Sequence, residues 1–342
     1  MEIASRGCPF ASADGLCPSC SLDPAFPPAF KAGGSQDSRM SESSDIRDRS
    51  HLTPDDILEL SFIRRDLPYV FRRHYREGLR SHIFEVHDQI SIERERHGLE
   101  QDGILVFPRS RPRYMLRLFR HHFRDMREAL EEIKRFQVLL NFLSPSYIAT
   151  SNEFLVDYPR GDRSDILLCG LQEYVRGEIF DPWSYESHPE SLSDQIEHML
   201  EVHAAEGPFW AYREALFRHI RSFVYGIKRL IVEAGYVPDL SGVGNLILTP
   251  DCRLRLVDIN NISPVSYQDH VFLDDKGYPI CDKSVEVLAI LEKKLLRADM
   301  PPQDALYDIF LHPERMARVR ELEREFRRSL REGNAADAFP AG

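Results

Sequence analysis

Pro238 to Asn261 reads PDLSGVGNLILTPDCRLRLVDINN, and this stretch decides the fold. A short polar loop, Asp239 to Asn245, leads into the apolar run Leu246-Ile247-Leu248. A turn at Pro250-Asp251 follows, and a second apolar run, Leu254 to Val257, ends in Asp258. Two apolar runs around turn residues spell a β-hairpin. Closing it brings Asn245, before the first strand, to the same end as Asp258, after the second. A carboxamide oxygen beside a carboxylate suits a hard cation such as magnesium. Asp, Gly and Asn are also turn-favouring, so an ordinary exposed hairpin reads the same way.

In order and spacing, Asp239, Asn245 and Asp258 resemble three positions of the protein-kinase-like fold: the catalytic-loop Asp, its following Asn, and the metal-binding Asp of the DFG motif. Two departures accompany the resemblance. Asp239 to Asn245 spans six residues, one more than the family's loop, and DFG is replaced by Asp258-Ile259-Asn260, as in remote bacterial kinase-like proteins. The resemblance covers roughly residues 100 to 300 and is specific only around the hairpin.

The resemblance implies an α+β, bilobal protein-kinase-like fold, with a small β-rich lobe, a larger helical lobe and a helical N-terminal extension. The expected division is a disordered tail over 1–50, extension and small lobe over 51–175, large lobe with the catalytic hairpin over 176–332, and a second tail over 333–342. Residues 1–50 are rich in Ser, Pro, Gly and Asp and poor in aliphatics, too few to build a core. Thr53-Pro54-Asp55-Asp56 has the order of a capped helix start. More helix is expected from Pro68 onward. Ile104–Phe107, Tyr114–Phe119, Phe154–Val156 and Ile166–Val175 read as strands. Helices are expected over 121–143, 209–234, 284–296, 301–310 and 314–331. The longest has Phe217, Ile220, Val224, Ile227 and Ile231 on one face and a C-terminal Gly235. The acid-rich stretch Asp181–Pro208 reads as an inserted loop and the start of a helix.

Composition narrows function. With 342 residues, a net charge of −11 and no apolar run near the length of a membrane helix, neither a nucleic acid nor a membrane is expected as partner. An N-terminus of acids, prolines and cysteines lacks the order of a secretory signal, so a cytoplasmic location is expected. Cys169, Cys252 and Cys281 read as buried thiols. Cys8, Cys17 and Cys20 include a CxxC but fall short of four zinc ligands.

The resemblance also implies chemistry: ATP and Mg2+ as cofactors, Asn245 and Asp258 as metal ligands, and Asp239 orienting or deprotonating an acceptor hydroxyl of a small molecule or a protein. Leu167–Gly177 looks like the hinge joining the lobes, with backbone near Glu173 and Val175 taking adenine. The family's strand Lys corresponds to Arg117 in YMLRLF, its acid partner being Glu128, Glu131 or, by slight preference, Glu132. No GxGxxG occurs in residues 50–120. Three readings stay open: an ATP-dependent phosphotransferase, a pseudokinase-type nucleotide-binding or regulatory module without turnover, and an unrelated α+β scaffold.

Overall fold

Thr53 opens the first helix, α1 (Pro54–Leu58), through a capping box: its hydroxyl accepts from the Asp56 amide and the Asp56 carboxylate accepts from the Thr53 amide. The computed structural model describes residues 45–64, 68–75, 80–160, 163–188, 190–202, 208–296 and 304–338. Cys8, Cys17, Cys20 and the first 44 residues of the expected tail lie outside these. Order begins before residue 51. Ile46 and Arg47 are buried, and Arg47 joins Asp45 to Asp165.

The next segment corrects the helix expected after Pro68. Tyr69–Arg73 is strand β1, because aromatic and β-branched residues there find a partner in β2 (Ser81–Asp88), with Phe71 opposite Val86. Helix α2 (Gln89–His97) and a small ribbon, β3 (Leu99–Gln101) with β4 (Ile104–Val106), precede β5 (Pro112–Phe119). Helix α3 (Met126–Leu143) starts later than the expected residue 121, since Asp125 caps the Glu128 amide at 2.8 Å. Strands β6 (Ser151–Arg160) and β7 (Arg163–Glu173) complete an antiparallel five-stranded sheet of order β1-β2-β5-β7-β6. The expected strand at Ile104 exists, but in the ribbon and not in this sheet.

The rest of the chain is mostly helical. It comprises β8 (Glu178–Ile179), α4 (Pro182–Ser187), α5 (Ser191–Val202), α6 (Phe209–Ala234), β9 (Tyr236–Pro238), β10 (Leu246–Leu248), β11 (Leu254–Leu256), β12 (Ile262–Pro264) and α7 (Ile280–Ala289), which runs into a π-helical stretch, Ile290–Leu295. Helices α8 (Ala305–Phe310) and α9 (Pro313–Ala338) end it. Helix α6 occupies the range its apolar stripe predicts and stops at Gly235, whose φ of 71° is left-handed. Helix α9 runs on through residues expected to fray, and it is anchored by buried Met316, Val319 and Leu322.

The protein is therefore mixed α+β. Two hydrophobic clusters hold it together. One packs Ile46, Leu52 and Ile57 against the sheet residues Phe84, Leu116, Leu167 and Cys169. The larger one gathers α3, α4 to α8 and β9 to β12 around Phe180, Phe223, Leu256 and Phe310.

Candidate functional site

Two short ribbons bring the site together. In the β10–β11 hairpin, Leu246 lies opposite Leu256, so Asn245 and Val257 are the next pair outward, and the Val257 amide donates to the Asn245 carbonyl at 2.8 Å. In the β9–β12 pair, Pro238 lies opposite Ile262. Asp239 and Asn261 follow: the Asp239 amide donates to the Asn261 carbonyl at 2.8 Å, and Asn261 Nδ2 donates to Asp239 Oδ2 at 3.1 Å. Register alone thus places Asp239, Asn245, Asp258 and Asn261 around one point.

The Asp239 carboxylate is buried. Its Oδ1 accepts from the Ser241 amide (2.9 Å), the Ser241 hydroxyl (2.7 Å) and the Gly242 amide (3.3 Å). Burial pushes its pKa up, the Asp258 charge adds to this, and the donors oppose it. Asn245 Nδ2 donates to the Asp239 carbonyl at 3.0 Å. A Cβ on Gly242 would stand 2.6 Å from Asn245 Nδ2, so glycine there lets the loop close on Asn245. Asp258, next after Val257, is partly open to solvent.

Above this loop stands Arg117, buried on β5. It donates to Asn260 Oδ1 at 2.6 Å, to the Val257 carbonyl and to Gln172 Oε1, and lies 3.9 Å from Asp258. The expected acid partner is corrected. Glu132 pairs with Arg135 at 2.9 Å on its own helix. Glu128 pairs with Arg124 and Glu131 with Lys134. Besides Asp258, the acid whose charge meets Arg117 is Glu153 on β6. Gly170 of β7 lies opposite both Arg117 and Glu153, and without a side chain it leaves the gap that Glu153 Oε1 fills, 3.1 Å from where a Cβ would be. Glu153 also accepts from Ser151 at 3.0 Å and Asn260 at 3.4 Å. Burial outweighs these and pushes its carboxyl up to about 7. Glu153 Oε2 and Gln172 Nε2 are buried and have no hydrogen-bond partner among the described residues.

At the hinge candidate, the Glu173 amide donates to the Thr150 carbonyl and the Tyr174 amide to the Arg113 carbonyl. Among the described residues the amide of Val175 meets no backbone carbonyl. A Cβ on Gly177 would fall 2.2 Å from the Leu248 carbonyl, so the strap passes directly over the hairpin. A second bridge joins the two halves: Arg80, just before β2, pairs with Asp274 at 2.5 Å and with Asp275.

Sequence reasoning missed Glu153, Gln172, Asn260, Asn261 and the Arg80–Asp274 pair. The two asparagines follow Asp258 with only Ile259 between, and that proximity was a usable signal. Glu153 gave none, because one acid in an apolar strand reads as a solvent-facing position. One further cluster, Asp45, His122 and Asp165, brings potential metal-ligand atoms within 4.8 Å of one another. Arg47 bonds both carboxylates, at 2.6 and 2.5 Å, and supplies the cation there.

A scan of protein-family models matched none to this chain, and a search of curated proteins found no relative.

Proposed function

We propose that this chain is a kinase-like, ATP- and magnesium-dependent phosphotransferase working where Arg117 of its sheet meets the loops that follow β9 and β11. The observation that carries the reading is the convergence of Asp239, Asn245 and Asp258 from separate segments, with Arg117 reaching down to the same loop. The sheet order and the helix between β5 and β6 agree with a kinase small lobe. Asn245 and Asp258 would hold magnesium, which offsets charge on the phosphates when bound. Arg117 would present positive charge to them, held in place by Gln172 and Asn260. Asp239 Oδ2 carries one donor, Asn261, and keeps a lone pair for an acceptor hydroxyl. The Val175 amide would meet adenine. The orphaned Glu153 oxygen and Gln172 amide offer one acceptor and one donor to a ligand that presents both.

A specific observation favours the second reading, a nucleotide-binding module without turnover. Arg117 is already engaged by three acceptors, and three donors crowd Asp239 Oδ1. The deciding experiment is thermal stability with ATP, with and without magnesium, followed by ATP turnover in the parent, Asp258→Ala and Asp239→Asn. The phosphotransferase reading expects a magnesium-dependent shift abolished by Asp258→Ala, and turnover lost in both variants. A shift without turnover selects the second reading. No shift at millimolar magnesium–ATP sinks both.

A further inference from the structure

Between α2 and β5 the chain leaves the main sheet to form the ribbon of β3 and β4, which pair only with each other among the described residues. Asp102 and Gly103 make its two-residue turn, with φ of 53° and 78°, as a type I′ hairpin requires. A two-stranded ribbon is marginal in water by itself. Leu99 lies opposite Val106, and Gln101 opposite Ile104. Side chains alternate across a strand, so these four share one face, and that face carries no charge. Its aliphatic members Leu99, Ile104 and Val106 are 44%, 66% and 41% exposed. Leu105 and Phe107 belong to the other face, with Glu100; they touch Gly98 and are 57% and 58% exposed. Single exposed aliphatics are ordinary; a contiguous set on an unsupported ribbon marks a contact surface.

Charge says what covers it. From Gly103 to Arg124 the sequence has six Arg, two His and no acid, inside a chain of net charge −11. Arg94 and Arg96 precede the ribbon, and Arg109, Arg111 and Arg113 follow it, all exposed. Among the described residues no carboxylate forms an ion pair with Arg94, Arg96, Arg109 or Arg111, and the nearby Glu95 is taken by Arg72. A protein groove would suit the aliphatic face. The exposed arginines that flank the ribbon in sequence, a collar in which Arg94, Arg96, Arg109 and Arg111 carry no ion pair among the described residues, fit a uniformly anionic plane better.

We propose that the uncharged face of this ribbon and its arginine collar dock the protein on an anionic phospholipid surface, aliphatics at the headgroup–acyl boundary and arginines on lipid phosphates. Asp102 at the tip and Glu100 on the far face make the ribbon lie along the surface instead of plunging into it. The contact is peripheral: among the described residues no helix is long and apolar enough to cross a membrane. It departs from the expectation that no membrane is a partner, and it stands independently of any reading of the Arg117 site.

The test is flotation of the full chain with vesicles of phosphatidylcholine alone and of phosphatidylcholine mixed with phosphatidylglycerol. Binding to the mixed vesicles only, weakened by salt, is expected. Ile104→Ser with Val106→Ser should lower binding about tenfold, and each of Arg109→Gln and Arg111→Gln about fivefold. Because these side chains are exposed, the variants should melt with the parent. Flotation with neither vesicle, or flotation indifferent to the variants, overturns the proposal. So does a dimer, seen by light scattering, that Ile104→Ser dissolves while no vesicle is bound; it would assign the face to a second copy.

Discussion

Arg117 Nη1 stands 3.9 Å from Asp258 Oδ1, and the same guanidinium donates to the carbonyl of Val257, one residue earlier. A side chain from the middle of the five-stranded sheet is thereby seated on the loop that leaves β11. The two hydrophobic clusters are separate, so polar contacts of this kind, with the Arg80–Asp274 pair, link the halves across the site.

Removing that guanidinium should be costly. Arg117→Met leaves three acceptors without their donor and Glu153 without its cation, a loss of about 3 kcal/mol by analogy with other broken buried pairs. Arg117→Lys keeps the charge but cannot span three acceptors from one point, and should lose about 1–2 kcal/mol. Urea unfolding of the two variants measures both. A methionine variant as stable as the parent would mean that the network contributes no net stability.

Glu153 gives the protein a pH dependence of known sign. Its carboxyl titrates near 7 when folded against an ordinary 4.5. The folded state therefore binds the extra proton between those values. This contribution is fully present below about pH 4.5, declines as pH rises to 7, and is gone above it, on the order of 3 kcal/mol in all. His82 works against it: burial, and after it the charge of Arg120, hold its imidazole down at about 4, so its contribution grows as pH rises from 4 to 6.5. The measurement is thus a difference, stability of Glu153→Gln minus parent across pH 5 to 8. It should rise with pH and flatten near 7. A difference that is flat throughout contradicts a raised carboxyl.

The parts of this fold legible in the sequence were those with strong local signals. Helix α6 has a long apolar stripe and a terminal glycine, and the β10–β11 hairpin has two apolar runs around a turn. The cap at Thr53 was equally plain. Strand β1 was misread because its Arg72 and Arg73 resemble a helical surface, and because its partner β2 is not a sequence neighbour in pattern. Of the site, the loop residues were legible since hairpin register fixes them. The buried acid Glu153 near Arg117 was not. Its identity depends on β7 lying between β5 and β6, with a glycine at position 170 opening the row, which no local pattern encodes.

The strap from β7 into β8 depends on Gly177. A β-carbon there would meet a backbone carbonyl at 2.2 Å, and a backbone carbonyl, unlike the end of a flexible side chain, cannot step aside. Gly177→Ala should therefore cost at least about 2 kcal/mol, by forcing the strap off the hairpin. Differential scanning calorimetry checks it. Gly235→Ala is a fitting control, since its added Cβ meets nothing within 4 Å and the cost there is backbone strain at φ 71° alone.

Gly242 separates stability from ligand chemistry. Its φ lies outside the left-handed region, so alanine fits the backbone. The added Cβ would stand 2.6 Å from Asn245 Nδ2 and 2.8 Å from Oδ1. The asparagine must then swing away and give up its bond to the Asp239 carbonyl. One lost hydrogen bond costs about 1 kcal/mol, too little to unfold the chain. If Asn245 is a magnesium ligand, Gly242→Ala should weaken magnesium–nucleotide binding tenfold or more, a ligand-orientation loss in the range seen for displaced metal-site groups. Nucleotide binding without magnesium should barely change. Isothermal titration of parent and variant, each with and without the metal, reads this directly. Equal losses in both arms would mean that Asn245 shapes the loop and holds no cation.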